Sequence, residues 1–169
     1  MKKHIRIFSS IIILIIIDQL TKIWAYSSLR GSFGIRIIPG VFELQYLENR
    51  GAAFGILQDH QGFFLLITII AAIGLTYIYT RIPDKRKYTP LRISYVLLMA
   101  GAFGNMIDRA FRRYVVDFFY FKLIDFPIFN VADIYVTVTM ALLLILILFY
   151  YKEEDLDFLS RKGKHGRDN

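Results

Sequence analysis

Four stretches of almost unbroken apolar residues divide the chain, at about 5–27, 63–81, 91–110 and 131–151. Each runs to on the order of 20 residues, the length at which a helix crosses roughly 30 Å of hydrocarbon. They predict four membrane-spanning helices. Between the first two the period changes. After the turn signal Pro39-Gly40, Phe42, Leu44 and Tyr46 alternate with Glu43, Gln45 and the more apolar Leu47. That pattern predicts a small β-hairpin or cradle, over about 32–60, outside the membrane. Between the third and fourth stretches, FRRYVVDFFYFKLIDFPIFN mixes basic residues with Phe and Tyr. Such a segment suits the interface, where rings and snorkelling cations sit at headgroup depth. The last stretch, 152–169, reads as a short, disordered cytoplasmic tail. The expected fold is one all-α membrane domain over 1–169: a four-transmembrane-helix bundle with an extracytoplasmic β-cradle and an interfacial segment between helices three and four.

The basic start and the run IFSSIIILIII also fit a cleaved signal peptide. The run continues into DQLTKIWAY with no small-residue cleavage site, which favours an uncleaved first helix. Composition agrees with a membrane protein: 56% of the 169 residues are hydrophobic and the mean hydropathy is +0.46, too apolar for an ordinary soluble domain. There are no cysteines, which removes disulfides, thiolate nucleophiles and cysteine metal sites together. His4, His60 and His165 are scattered and make no HExxH pair, so neither a metal nor a cofactor is expected. The net charge of +7 could suggest nucleic acid, but no nucleic-acid module is recognisable and the cations cluster at the ends of apolar segments. Lys2, Lys3 and Arg6, the loop RIPDKRKYTPLR and the tail are richer in cations than the opposite loops, which carry Arg30, Arg36, Arg50, Arg112, Arg113 and Lys122. The positive-inside rule then places both termini in the cytoplasm.

Charge inside apolar segments is costly and needs a partner or a task. Asp18 and Lys22 are four apart on the first helix and share a face, and Thr21 can bond back to the backbone. The pair either anchors the helix or serves a site. On the third helix Asn105, Asp108 and Arg109 fall at i, i+3 and i+4, beside Ala100, Gly101 and Gly104, which are small enough for close helix approach. The fourth helix opens with Asn130 as a candidate cap and Asp133 in its first turn. All these groups lie toward one membrane face, so a single polar site there is more economical than several unrelated pairs.

Two close carboxylates cannot both ionise easily, so one keeps a proton while the other takes a proton from water. Asp117 and Asp133 flank the interfacial segment and make the candidate pair. Asp125, eight residues from either, is not excluded by spacing. Serine chemistry has no GxSxG elbow to stand on.

The motifs DQLTK (18–22), ENRGAAFGIL (48–57), GNMIDR (104–109), VVDF (115–118) and FNVAD (129–133), in this order, resemble those of the bacterial lipoprotein signal peptidases, the type II signal peptidases. The resemblance covers nearly the whole chain. It implies a membrane aspartic peptidase that cuts diacylglyceryl-modified prolipoproteins on the amino side of the lipid-modified cysteine. It puts the catalytic pair at Asp117 and Asp133 and demotes Asp125. It further implies supporting or substrate-binding roles for Asp18, Lys22, Asn49, Gly51, Asn105, Asp108, Arg109 and Asn130. Asn105 and Asn130 are expected to orient the aspartates or the scissile carbonyl, Asp108 and Arg109 to brace each other, and the NRGAAFGIL loop to help clamp the peptide. Membrane lipids are the surroundings and a monomer is expected, in the bacterial cytoplasmic membrane with the site toward the extracytoplasmic face. Two other classes compete: a transporter with an aspartate relay, disfavoured by the nearly uncharged inner halves of the helices, and a scaffold whose polar faces only hold helices together.

Overall fold

The computed structural model describes residues 2–51 and 60–159. Four long helices dominate: α1 (Lys2–Leu29), α2 (Gln61–Arg81), α3 (Thr89–Arg112) and α4 (Val131–Ile145), the last continued by a π-helical turn, Leu146–Tyr150. All four spans are long and apolar enough to cross a membrane. α3 is the central helix, packing against α1, α2 and α4. Most large aliphatic side chains on the outer surfaces are exposed, Ile70, Ile73, Met140 and Leu144 among them. That is the expected arrangement where hydrocarbon rather than water is the solvent.

What is buried runs in stripes. On α1 the buried positions are Ile11, Asp18, Lys22, Ala25 and Leu29, one face of the helix. On α3 they include Met99, Ala100, Gly101, Gly104 and Asp108. The two glycines set the helix spacing. A Cβ at Gly101 would lie 2.7 Å from the Ala132 carbonyl oxygen of α4, and one at Gly104 would lie 2.6 Å from Asp18 Oδ2 of α1. Three helices therefore converge where the polar stripe begins.

A three-stranded antiparallel sheet covers one end of the bundle, in the order β1 (Ile35–Ile38), β2 (Phe42–Asn49), β3 (Val115–Tyr120). The first two strands are the anticipated hairpin. Its turn places Pro39 and Gly40 between Ile38 and Val41, whose amide donates to the Ile38 carbonyl at 2.9 Å. Gly40 has φ +73°, a left-handed conformation glycine adopts without strain. The third strand corrects the expectation of a purely interfacial segment after α3. Val115–Tyr120 pairs with β2, and only the stretch beyond it, around the single turn Lys122–Ile124, lies outside the sheet. Alternation within β3 turns Val116 and Phe118 into a core with Ala25 and Leu29 of α1 and turns Asp117 the other way. A bulge in β2 between Leu44 and Leu47 brings Leu47 opposite Asp117.

The expected disordered tail also needs correcting. Glu153–Leu159 forms a 3-10 turn on the opposite end of the bundle, where Leu156 and Phe158 pack against Tyr88, Leu146 and Tyr151 and Lys87 pairs with Asp155 at 2.5 Å. The remainder, 160–169, and the loop stretch 52–59 expected to help clamp a peptide lie outside the described residues.

Gly104→Ala is expected to destabilise the protein by about 1–3 kcal/mol through overpacking against Asp18, seen as a lower unfolding temperature in detergent. Gly74→Ala, with nothing within 4 Å of the new methyl, is the control and should be neutral or slightly stabilising.

Candidate active site

The site grows from the return of the chain beyond β3. Phe129 pairs with Phe119, its amide and carbonyl bonded to Phe119 at 3.0 and 2.8 Å, and rings of Phe42, Phe121 and Phe129 stack around it. This antiparallel return sets Asn130 beside Asp117. Asn130 then caps α4: its Oδ1 accepts the Asp133 amide at 3.1 Å, and Asp133 Oδ2 accepts the Asn130 amide at 3.1 Å. This reciprocal capping box fixes the Asp133 side chain as firmly as the helix start itself.

The carboxylates are held by side-chain amides from different elements. Asn130 Nδ2 donates to Asp117 Oδ1 at 2.5 Å and Asn49 Nδ2, from the end of β2, donates to Asp117 Oδ2 at 2.9 Å. Asn105 Nδ2, from α3, donates to Asp133 Oδ1 at 2.8 Å. Asn130 Nδ2 also reaches Asn105 Oδ1 at 3.2 Å, joining the two halves. Deeper in the bundle, Lys22 Nζ meets Asn105 Oδ1, Asp18 Oδ2 and Asp108 Oδ2 at 2.8, 2.9 and 3.1 Å. Asp18 also receives the Ala132 amide at 2.9 Å, and Asp108 receives Arg112 at 2.5 Å and the Val116 amide at 3.2 Å. Lys22, Asp18 and Asp108 are wholly buried, so this is a closed, fully bonded ion cluster rather than a reactive one.

Asp117 and Asp133 line a cavity of about 1080 Å³. Asn49, Gly51 and Arg109 contribute to its wall, Phe121 and Phe126 belong to the segment over it, and Ile134, Thr137 and Val138 line its α4 side. Ile134 and Val138 are also exposed on the outer surface of α4, so the cavity borders the hydrocarbon-facing side of the bundle. Burial, then the facing charge of Asp133, pushes the Asp117 carboxyl up to about 7, against the pull of Asn49, Asn130 and Lys22.

The residues singled out from sequence thus divide. Asp117, Asp133, Asn49, Asn105 and Asn130 form one connected set, and Asp18, Lys22 and Asp108 form the ion cluster beneath it. Gly51 donates its amide to Asn49 Oδ1 at 3.0 Å. Asp108 and Arg109 do not brace each other, because adjacent positions on a helix point about 100° apart. Arg109 instead lies over the Phe64 ring at 4.6 Å, approaches the Gly51 carbonyl at 3.4 Å and enters the cavity wall. Asp125 borders the cavity but accepts the Tyr120 hydroxyl at 2.6 Å from an exposed turn, bonded to neither aspartate. Two participants gave no sequence signal: Gln61, whose Nε2 holds the Arg50 carbonyl at 2.5 Å, and the pairing of Lys122 with the buried Glu43 at 2.8 Å, which ties the segment after β3 to β2.

Two carboxylates held by neutral amides beside one cavity in a membrane helix bundle are the arrangement expected of a membrane hydrolase of the paired-aspartate class. The chain belongs to the signal peptidase II family: the family described as Signal peptidase (SPase) II matches residues 10–149. It is 43% identical over 141 residues to a lipoprotein signal peptidase of Clostridioides difficile (strain 630), covering 83% of this chain and 93% of that one. It is 44% identical over 146 residues to a lipoprotein signal peptidase of Streptococcus thermophilus (strain CNRZ 1066), covering 86% and 92%. Two solved bacterial membrane enzyme structures, at 2.3 and 1.9 Å, superpose with TM-scores of 0.73 and 0.75 at 32% and 34% identity, covering 96% and 86% of this chain and 94% of each of theirs.

Because Asp117 holds its proton more tightly folded than unfolded, its contribution to stability falls as pH rises from the ordinary carboxylate range through about 7. Asp117→Asn should therefore unfold at a higher temperature than wild type at pH 8, with the gap narrowing by pH 5, as read by thermal unfolding in detergent.

Proposed function

We propose that Asp117 and Asp133 are the catalytic pair with which this peptidase removes signal peptides from prolipoproteins. The observation that supports this is the amide chain Asn49, Asn130 and Asn105, which aims both carboxylates at one cavity. With one proton between them, Asp117 is the acid near neutrality and Asp133 the base. Asp133 takes a proton from water as its oxygen attacks the scissile carbonyl carbon, while the Asp117 proton passes to the carbonyl oxygen. The tetrahedral diol then collapses: the C–N bond breaks, the leaving nitrogen takes a proton from Asp133, and a diol proton returns to Asp117. The products are a carboxylic acid, which gives its proton to water or to the released amine, and a free amine, and the pair is again singly protonated.

The substrate is a prolipoprotein carrying a diacylglyceryl-modified cysteine, cut on the amino side of that cysteine. The α4 side of the cavity, Ile134, Thr137 and Val138, allows acyl chains to stay in hydrocarbon while the peptide bond reaches the aspartates. Arg109, in the cavity wall, supplies donors for a substrate backbone carbonyl, and Gly51 leaves room for close approach. Asp18, Lys22 and Asp108 support the site from below. The protein acts as a monomer in the bacterial cytoplasmic membrane. The cation-rich N-terminal end, the α2–α3 loop and the C-terminal segment lie in the cytoplasm, and the sheet and site lie on the extracytoplasmic side.

Cleavage of a diacylglyceryl-modified prolipoprotein peptide by detergent-purified protein tests this. Asp117→Asn and Asp133→Asn should each lose roughly a thousandfold or more while staying folded, and Asp125→Asn should stay within a few-fold of wild type. An inactive, folded Asp125→Asn beside an active Asp133→Asn would show the pair to be misassigned. Wild-type cleavage should decline above pH 7, as Asp117 loses the proton it must donate.

A further inference from the structure

Lys22 takes no part in the chemistry above, yet it is the origin of the order in the amide chain. An ammonium has three donors and no acceptor, and the three groups around Lys22 are all oxygens: Asp18 Oδ2, Asp108 Oδ2 and Asn105 Oδ1. The oxygen of Asn105 must therefore face Lys22, which leaves its Nδ2 facing Asp133 Oδ1. The same oxygen receives one hydrogen of Asn130 Nδ2, whose other hydrogen goes to Asp117 Oδ1. Asn130 Oδ1 is then turned to the Asp133 amide. Asn105 Oδ1 thus accepts from both Lys22 and Asn130, and each amide turns a donor to one carboxylate, Asn105 to Asp133 and Asn130 to Asp117. Flipping Asn105 would set its oxygen against the Asp133 carboxylate and its NH₂ against the ammonium, two repulsions at a buried site.

We propose that Lys22 is a positioning residue for the reaction, its charge fixing the donor direction of the Asn105–Asn130 amide chain and thereby the seating of both aspartates and their shared proton. The proposal rests on the reading of Asp117 and Asp133 as the catalytic pair. The charged groups around Lys22 make it testable. Asp18 faces it from α1, and Asp108 faces it from α3, backed by Arg112. Arg109 of α3 lines the cavity, Asp133 and Asp117 lie beyond Asn105 and Asn130, and Tyr135 of α4 directs its hydroxyl to the Leu14 carbonyl. Lys22 and Arg112 balance Asp18 and Asp108. A Lys22→Met/Asp18→Asn pair keeps that balance and removes the Lys22–Asn105 bond. The side-chain amide oxygen it leaves at position 18 can still accept from the Ala132 N–H.

The double variant is compared with wild type and with Asp18→Asn alone, by kcat, KM and pH profile of cleavage, each checked for folding. The expected result is a fall in kcat of roughly tenfold or more, the worth of a hydrogen bond to a charged group, with KM within about twofold. The profile should move to higher pH, because Asp117 loses the pull of Lys22 and of a correctly directed Asn130, both of which favour its ionised form. Asp18→Asn alone retains Lys22, adds net positive charge and should not move the profile upward. A folded double variant with the wild-type profile overturns the proposal, since a merely structural role lowers the active fraction without moving apparent pKa values. If the double variant does not fold, wild-type protein labelled with ¹⁵N at asparagine side chains decides. One hydrogen-bonded Nδ2 proton for Asn105 and two for Asn130 are expected, and an Asn105 with neither proton bonded overturns the assignment. Should wild type itself fail to cleave, the proposed function falls, while the asparagine signals still report on the Lys22 arrangement.

Discussion

A single buried ammonium organises this molecule. Lys22 lies on a helix whose other neighbours are almost all aliphatic, and an unpaired charge at such depth would cost several kcal/mol. The fold meets that constraint with three oxygens from two helices. Each partner is then secured in turn: Asp18 by the first turn of α4, Asp108 by the β3 backbone and by Arg112, Asn105 by Asp133. Satisfying one cation thus ties α1, α3, α4 and the sheet to a common point. Gly104 is glycine because Asp18 occupies the space where a side chain would be. Removing one partner of such a cluster is far more damaging than the cluster is stabilising, because the survivor is left charged and dry.

That tie places the reactive region at a boundary between phases. Helices alone satisfy their own backbone in lipid, but their early and late turns leave groups that need partners. Here the buried start of α4 is capped by Asn130 and Asp133; Asp133 lines the cavity, and Asn130 holds Asp117, which also lines it. Capping and site geometry are therefore one set of bonds. The sheet completes it from above: β3 presents Asp117 on one face only because Val116 and Phe118 are drawn to α1 on the other. An exchange of register in β3 by one residue would bury the carboxylate in the apolar core.

The helices were legible because their signal is redundant, some 20 apolar residues each, and the hairpin because Pro39-Gly40 and the alternation after it agree. The candidate pair was legible because charge among apolar neighbours is rare enough to demand a reason. β3 was not, and the cause is physical: both of its faces are buried, so VVDFFY shows no alternation toward water, and its only charged residue belongs to the site. The segment 153–159 was obscured in the opposite way. Its acidic residues suggested a solvated tail, while the surface that receives Leu156 and Phe158, the stacked Tyr88 and Tyr151 rings, is assembled from residues more than 60 apart in sequence. The pairing of Asp108 with Arg109 was an adjacency in sequence that helix geometry does not turn into contact.

The two ends of the bundle use the same residue types to different effect. At the sheet-free end, Lys3 pairs with Asp84 and Lys87 with Asp155 at 2.6 and 2.5 Å, in partly exposed positions. Water screens such pairs, leaving them enough to define an orientation but not to tune chemistry. At the sheet end, Asp18, Lys22 and Asp108 are sealed from water, and each charge is felt at its neighbours through a much lower dielectric. Only there can the position of one ammonium bias where a proton rests on a carboxylate two residues removed. The cavity is open to water and the layer beneath is sealed from it, so that Lys22 can act on Asp133 through Asn105 and on Asp117 through Asn105 and Asn130. The helix–helix contacts that admit only glycine at 101 and 104 bring α1, α3 and α4 close together at that layer.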